Sequence, residues 1–244
     1  DKGLSLDEVV EATQEGFAEG SAGTGIRIGT LLTAMRHAAR SLEIAELAVR
    51  HRNNGVVGFD IAGAEAGNPP TRHLAAFQHL QRENFHFTIH AGEAYGPPSI
   101  WEAIQYCGTE RLGHGVRIMD DITTNADGEK ELGRLAAYVR DRRIPLEVCP
   151  SSNVHTGAAA SIAEHPVRDL VDLRYRVTMN TDNRLMSATS LTNEFDVCCQ
   201  AFDWDLREVQ WLTLNAMKSA FIPFDERLDL INQIIKPWYA GRLL

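Results

Sequence analysis

Cysteine is scarce in this sequence, and its positions argue against disulfide or cysteine-metal roles. Only four occur in 244 residues, at Cys107, Cys149, Cys198 and Cys199. None belongs to a Cys-x-x-Cys pair, and two are adjacent, which suits neither a disulfide framework nor a cysteine-rich zinc site. We therefore expect reduced thiols and a cytoplasmic location.

Long apolar runs and clusters of basic residues are also missing. No segment approaches the roughly 20 apolar residues that a membrane helix needs. The formal net charge is −9, and the 24 Lys and Arg residues are scattered along the chain. A scattered minority of cations gives no positive patch for phosphate groups. The sequence predicts neither a membrane partner nor a nucleic-acid partner, and it leaves the oligomeric state open.

A regular alternation of strand-like and helical segments runs from Ile26 to about residue 200. This alternation is typical of βα units with a parallel sheet. The six predicted strands are Arg27–Ala34, Val56–Ile61, Phe85–His90, Arg111–Gly113, Ile144–Cys149 and Arg176–Asn180. We predict an α/β fold in which residues 1–244 form a single domain, a (β/α)8 TIM barrel with about six of its eight strands present.

Helical periodicity fills the intervals between these strands and both ends of the chain. The predicted helices are Val9–Glu19, His37–Asn53, Thr71–Asn84, Pro98–Cys107, Glu129–Arg142, Val167–Leu173, Ser187–Ala201, Leu206–Met217 and Phe224–Tyr239. We expect the helices of residues 205–244 to cover the outside of the barrel. The segment Asp120–Gly128 is rich in Asp, Thr and Asn and is predicted to be a solvated loop.

Three predicted strands end in side chains that can bind a metal or move a proton. His90 and Glu93 lie in the string His-Ala-Gly-Glu, His114 lies in Arg-Leu-Gly-His-Gly, and Asp182 lies in Asn-Thr-Asp-Asn. In a parallel barrel the carboxyl ends of the strands open at one mouth. Residues that converge there could activate water on a divalent metal.

Each of these residues also has a simpler interpretation. A strand-end histidine such as His90 or His114 can be a hydrogen-bonded core residue. Glu93 could cap a turn, and Asp182 could cap the helix predicted from Ser187. The glutamate three residues after His90 favours the catalytic interpretation for that pair. Two further polar residues near strand ends, Asn153 and His165, could touch a substrate or shape the rim.

The strings HAGE, RLGHG and NTDN follow Val57–Gly63 (VGFDIAG) in this order, and together they resemble the adenosine deaminase family of metal-dependent amidohydrolases. The resemblance extends through Leu146–Asn153 (LEVCPSSN) and Asn215–Phe221 (NAMKSAF). It implies a barrel enzyme that converts adenosine or 2′-deoxyadenosine to the inosine nucleoside and ammonia by means of metal-activated water. Its partner would be a small purine nucleoside.

The resemblance also implies catalytic and metal-binding roles for four residues. His90 and Asp182 would bind one Zn2+ per subunit, although another divalent metal is possible. Glu93 would protonate the purine N1 and so make C6 electrophilic. His114 would hold the attacking hydroxide, and Asp182 would also take the proton of the water.

Two further residues would bind the substrate. Gly63 would offer its backbone to the purine, although an ordinary turn glycine is the alternative. Asn183 stands where many family members have a second aspartate. Its amide can still donate a hydrogen bond to the purine.

The family's first strand carries a His-x-His pair, and no such pair occurs in this sequence. The resemblance thus implies the C-terminal portion of a longer enzyme, whose first strand would supply two more metal ligands. Two alternatives stay open, namely a deaminase of adenine or another aminopurine, and an inactive purine-binding fragment. Cytidine-type zinc deaminases are disfavoured because they need His-x-Glu with Pro-Cys-x-x-Cys.

Overall fold

The computed structural model describes residues 3–243, and six parallel strands form its central sheet. The strands in chain order are β1 (Thr30–Met35), β2 (Val56–Ala62), β3 (Thr88–Ala91), β4 (Arg111–His114), β5 (Ile122–Thr124), β6 (Lys130–Leu132), β7 (Leu146–Val148) and β8 (Val177–Met179). Parallel pairing links β1 to β2, and β3, β4, β7 and β8 to one another in that order. A parallel bridge between Phe59 and Phe87 joins the two groups. The predicted six-stranded parallel sheet is confirmed.

Five of the six parallel strands are mostly buried, because helices cover the outer face of the sheet, whereas β1 is largely half-buried or exposed. In β2, the side chains of Val56, Phe59 and Ile61 are fully buried. The helices are α1 (Leu6–Ser21), α2 (Ser41–Arg50), α3 (Leu74–Arg82), α4 (Pro97–Gln105), α5 (Arg134–Asp141), α6 (Pro150–His155), α7 (Val167–Asp172), α8 (Leu191–Phe202), α9 (Leu206–Ser219), α10 (Phe224–Asp229) and α11 (Lys236–Ala240). No helix among the described residues is long and apolar enough to cross a membrane.

Several local predictions are wrong. The loop predicted for Asp120–Gly128 contains β5, which pairs with β6 in an antiparallel hairpin. Strand β6 occupies the start of the predicted helix Glu129–Arg142, so α5 begins only at Arg134. The helices predicted from His37 and Ser187 begin only at Ser41 and Leu191. Helix α6 was not predicted, since the segment PSSNVH has no apolar periodicity. It begins at Pro150, a residue that is well suited to the first position of a helix.

The C-terminal residues are largely helical, and one of their helices reaches the interior. Helix α9 packs against β8. At the end of α9, Ala216 and Ser219 line a cavity on the concave side of the sheet, and Ala220 follows them there. The guanidinium of Arg111 on β4 donates to the Ser219 carbonyl (2.9 Å). Residues 216–220 therefore help to shape the cavity on the concave side of the sheet, and the covering role of residues 205–244 stays a prediction.

Candidate active site

The four predicted catalytic and metal-binding side chains lie together at the carboxyl ends of the strands. The rings of His90 and His114 are 5.2 Å apart and meet edge to face. His114 Nε2 lies 3.5 Å from Glu93 Oε2 and 3.9 Å from Asp182 Oδ2. The structure thus brings together residues from β3, β4 and the segment after β8, as the strand-end argument predicts.

The backbone at this mouth is shaped by the pairing of β3 with β4. His90 pairs with Gly113, and Ala91 pairs with His114. A Cβ atom at Gly113 would lie 2.9 Å from both Cα and Nδ1 of His90, so only glycine admits this ring. His114 and Asp182 adopt positive φ angles of 60° and 54°. Non-glycine residues seldom adopt this conformation, and such strain is concentrated at functional sites.

His90 is oriented by a buried carboxylate that the sequence argument missed. Asp60 on β2 is 5% exposed, and its carboxylate lies 3.0 Å from His90 Nδ1. Burial alone would lower the pKa of His90, but the charge and hydrogen bond of Asp60 outweigh it and raise that pKa to about 9. The available signal was an acidic residue inside the apolar run VVGFDIA, because a buried charge needs a partner.

His114 is oriented by a different buried residue. Asn153 in α6 is fully buried, and its amide nitrogen lies 3.0 Å from His114 Nδ1. Its amide oxygen lies 3.1 Å from Nε2 of His165. Burial lowers the pKa of His114, so the ring is neutral at neutral pH. Asn153 and His165 are therefore enclosed behind the site and do not form an exposed rim.

The loop that carries Glu93 is held by Glu65, which the sequence argument also missed. The buried carboxylate of Glu65 accepts hydrogen bonds from the four consecutive backbone N–H groups of residues 92–95, at 2.6 to 3.1 Å. The Glu93 carboxylate itself accepts a hydrogen bond from the Thr156 hydroxyl (2.9 Å). Both the main chain and the side chain of Glu93 are thus fixed.

The donors at this site fit a divalent metal ion. Imidazole and carboxylate ligands suit zinc and related cations. Asp60 behind His90 reproduces the carboxylate–imidazole pairing that orients metal-binding histidines. Ligand atoms of His114, Cys149 and Asp182 also lie within 4.8 Å of one another. Burial raises the pKa of the Cys149 thiol well above its ordinary value, which makes this sulfur the weakest donor of the group.

The two predicted substrate-binding residues each lie in a segment that follows the end of a parallel strand. Gly63 directly follows β2 with a φ of 100°, and a Cβ there would lie 2.9 Å from the Met35 methyl group. Asn183 lies in an exposed turn, where its side-chain oxygen accepts from the Met186 N–H (3.1 Å). Neither residue lines the cavity beside the cluster. Their contacts with a purine stay predictions.

A cavity of about 380 Å³ adjoins the cluster on the concave side of the sheet. His90, His114 and Asp182 form part of its wall. Deeper in the sheet, the guanidinium of Arg111 lies 2.6 Å from the Glu147 carboxylate. The volume lies within the range of small-molecule sites, about 300–1,000 Å³. Six parallel βα strands with an imidazole and carboxylate cluster at their carboxyl ends define an α/β barrel protein with a candidate metal-binding mouth.

Comparison with known proteins gives the family. The adenosine deaminase family model matches residues 1–237, so the chain belongs to that family. It is 67% identical to adenosine deaminase 1 of Streptomyces coelicolor over 98% of this chain and 62% of that protein. It is 63% identical to an adenosine deaminase of Mycobacterium sp. strain KMS, over 98% of this chain and 67% of the relative. The chain therefore spans about two thirds of the length of these curated relatives.

Solved structures support the barrel fold. An adenine deaminase from Arthrobacter aurescens superimposes with a TM-score of 0.85 at 22% identity, over 98% of this chain and 70% of that chain. An amidohydrolase from Burkholderia ambifaria with bound Zn superimposes with a TM-score of 0.84 at 18% identity. The match covers 98% of this chain and 64% of that chain. At these identities the likeness shows the fold, and the TIM-barrel prediction is confirmed.

Proposed function

We propose that this protein hydrolyses adenosine and 2′-deoxyadenosine to the inosine nucleosides, with release of ammonia. The observation that carries the proposal is the convergence of Glu93, His114 and Asp182 within 3.5 to 3.9 Å at one mouth of the sheet. Membership of the adenosine deaminase family supports the same reaction. Relatives that are 60–67% identical and named adenosine deaminase support it further.

We propose that His90 and Asp182 hold one divalent metal ion per chain, with zinc as the expected metal. Such an ion supplies Lewis acidity, which lowers the pKa of water to about 7. Asp60 would keep the His90 ring in position, since it is buried and bonded to Nδ1 at 3.0 Å. Ser152 would orient the Asp182 carboxylate through a 2.7 Å hydrogen bond from its hydroxyl.

The residues of this chain divide the proton transfers between them. Asp182 accepts the proton of the attacking water, and the neutral ring of His114 hydrogen-bonds to the water oxygen through Nε2. Glu93 donates its proton to N1 of the purine as the C6–O bond forms. Asp182 then passes the proton it took from water to the amino group, the C6–N bond breaks, and ammonia leaves. The proton remaining on the C6 hydroxyl returns to Glu93 as the C6 carbonyl forms, which restores the acid. General acid catalysis of this kind contributes about 10²–10⁴-fold.

The substrate is proposed to contact Asn183 and the backbone of Gly63. The amide of Asn183 keeps two N–H donors while its oxygen accepts from Met186. An Asn183→Ala variant is expected to raise KM and leave the metal content unchanged. Loss of metal from this variant would remove Asn183 from the substrate-binding set.

A purine panel tests the reaction itself. Enzyme expressed from the complete coding sequence would be assayed for ammonia release from adenosine, 2′-deoxyadenosine, adenine and adenosine monophosphate. The proposal predicts the highest kcat/KM for the two nucleosides. Preferential turnover of adenine or the nucleotide would replace the substrate assignment, and binding without turnover would replace the enzyme assignment with a purine-binding one.

Elemental analysis tests the metal ligands. His90→Ala and Asp182→Ala should lose most of the bound metal, because each removes a donor at the mouth of the sheet. His86→Ala is the matched control, since His86 precedes the same strand but is exposed and paired with Glu110. Wild-type metal content in either site variant would exclude that residue as a ligand.

We also propose a cytoplasmic location. All four cysteines are free thiols, and Cys107, Cys149 and Cys198 are buried without a disulfide partner. Unpaired cysteines are typical of reducing compartments. Fractionation of cells with an antibody to this chain would test the location, and recovery outside the cytoplasm would contradict it.

A further inference from the structure

Behind His114 lies a buried chain of hydrogen bonds that points away from the cavity. His114 Nδ1 is 3.0 Å from the Asn153 amide nitrogen, and the Asn153 oxygen is 3.1 Å from His165 Nε2. His114 and His165 are each 2% exposed, and Asn153 is 0% exposed. Neither Asn153 nor His165 lines the cavity at the site.

A single backbone N–H group, that of Val167, fixes the direction of the hydrogen bonds that link His165, Asn153 and His114. The Val167 N–H lies 3.0 Å from His165 Nδ1 and can only donate, so Nδ1 carries no proton. A ring with an unprotonated Nδ1 is neutral and carries its single proton on Nε2. Burial, which lowers the pKa of His165 to about 4, agrees with this. Nε2 therefore donates, and the Asn153 atom that faces it is the oxygen.

The Asn153 side chain extends this constraint to the active site. With its oxygen turned to His165, the Asn153 amide presents an N–H group to His114 Nδ1. That nitrogen must accept and therefore carries no proton, so the ring proton of His114 is on Nε2. Nε2 is the atom that lies 3.5 Å from Glu93 and 3.9 Å from Asp182.

We propose that Asn153 and His165 are positioning residues that hold His114 in the tautomer protonated at Nε2. In this tautomer Nε2 of His114 donates a hydrogen bond to oxygen atoms at the site. It cannot accept a proton there. The tautomer is set by residues of this protein and does not depend on a bound substrate. Its effect on rate rests on the proposed deaminase function.

Both residues are anchored well enough to act in this way. The Asn153 N–H donates to the Cys149 carbonyl (2.8 Å), and the Asn153 carbonyl accepts from the Ala159 N–H (3.0 Å). The His165 N–H donates to the Ile162 carbonyl (3.0 Å). Both the main chain and the side chain of Asn153 are therefore held by hydrogen bonds. They oppose a rotation of the amide that would exchange its nitrogen and oxygen and so reverse the donors and acceptors.

Nuclear magnetic resonance reads the tautomer directly. Enzyme expressed from the complete coding sequence would be labelled with 15N-histidine, and two-bond nitrogen–proton correlations would be recorded near pH 7. The His114 signals would be assigned by their loss in His114→Gln. The proposal predicts an unprotonated Nδ1 and a protonated Nε2 for His114. A protonated Nδ1 would overturn it, whether or not the enzyme deaminates adenosine.

The Asn153→Asp variant tests the role of the amide. The carboxylate is nearly isosteric but cannot donate, so Nδ1 of His114 should become protonated. We expect kcat to fall about 10–100-fold with a much smaller change in KM, as for other residues that orient a site from behind. Asn54→Asp is the matched control, because Asn54 also lies beside a histidine ring nitrogen (His51, 3.4 Å) but far from the site.

A second pair of variants keeps the test valid if Asn153→Asp does not fold. His165→Leu removes the donor to Asn153 and should lower kcat, whereas His165→Gln retains an amide donor and should restore most of it. Circular dichroism would verify that both are folded. Equal kcat values in the two variants, or an Asn153→Asp enzyme with wild-type His114 signals, would reduce these residues to packing.

Discussion

Asp60 lies behind His90, and Asn153 lies behind His114, so each histidine is fixed by a buried polar side chain on its far side. A buried polar group without a partner is costly, and these pairings remove that cost. They also determine which ring nitrogen faces the site. For His90 this nitrogen is Nε2, because Nδ1 is bonded to Asp60.

The role of Asp60 gives a prediction at the residue scale. Asp60→Asn keeps the shape of the side chain but removes its charge, and we expect about 10–100-fold weaker metal binding. Competition with a chelator would measure the affinity. Asp120→Asn is the control, since Asp120 is an exposed carboxylate that pairs with Arg117. Equal affinities in the two variants would separate Asp60 from the metal site.

The sequence revealed the residues that face the site better than those behind it. His90, Glu93, His114 and Asp182 each follow a strand-like run, and this local pattern was sufficient to find them. Asp60, Glu65 and Asn153 act through contacts between distant segments. Glu65, for example, contacts the main chain of residues 27 to 30 positions further along. Asp60 left a local signal, the acidic residue inside an apolar run, but no local pattern identifies the distant partner of any of these residues.

At the scale of elements, the loop between β3 and α4 depends on one carboxylate. Glu65 accepts four backbone N–H groups of residues 92–95, and hydrogen bonds to a charged group are worth about 1.5–3 kcal/mol each. In Glu65→Gln, an amide N–H2 group would face donors. We expect the amides of this loop to exchange hydrogen at least about tenfold faster and kcat to fall.

Hydrogen exchange followed by mass spectrometry would measure the loop directly. Glu43→Gln is the matched control, because Glu43 is exposed and pairs only with the neighbouring Arg40. If exchange in residues 92–95 were the same in both variants, Glu65 would not hold the loop. An unchanged kcat together with faster exchange would show that the position of the loop does not limit the reaction.

Long elements with a regular pattern of apolar residues were predicted well, and short elements were not. β2 is an apolar run interrupted only by Gly58 and Asp60, as is typical of parallel strands buried on both faces. By contrast, β5 and β6 contain three residues each and are largely exposed, so no alternation marked them. In the C-terminal region, Leu230–Ile235 is a π-helix inside the predicted helix Phe224–Tyr239, a change that periodicity does not anticipate.

At the scale of the whole molecule, buried histidines couple stability to pH. The pKa of His165 is about 4 in the folded protein and about 6.5 in the unfolded chain. Between these values the unfolded chain binds a proton that the native protein does not. Stability is therefore full above about pH 6.5 and falls as the pH drops toward 4, by roughly 3 kcal/mol from this residue.

Urea unfolding at a series of pH values would test this coupling. His165→Gln should lose less stability than the wild type between pH 6.5 and 4. Some decline should remain, because burial also lowers the pKa of His73. Parallel pH profiles for the variant and the wild type would contradict the assignment of a low pKa to His165.

The arrangement of the sheet explains why residues far apart in the sequence form one site. His90 and Asp182 are 92 positions apart, yet both follow parallel strands whose carboxyl ends open on one side. We propose that this mouth performs hydrolytic deamination with Glu93 as the general acid. The Glu93 side chain would then act in the transition state and not in ground-state binding.

The kinetics of Glu93→Gln test this claim most directly. The variant keeps the size and hydrogen bonding of Glu93 but cannot donate the proton to N1. With enzyme from the complete coding sequence and full metal occupancy, kcat for adenosine should fall about 10²–10⁴-fold while metal and purine still bind. A metal-loaded Glu93→Gln enzyme with kcat within about tenfold of wild type would show that another group is the acid.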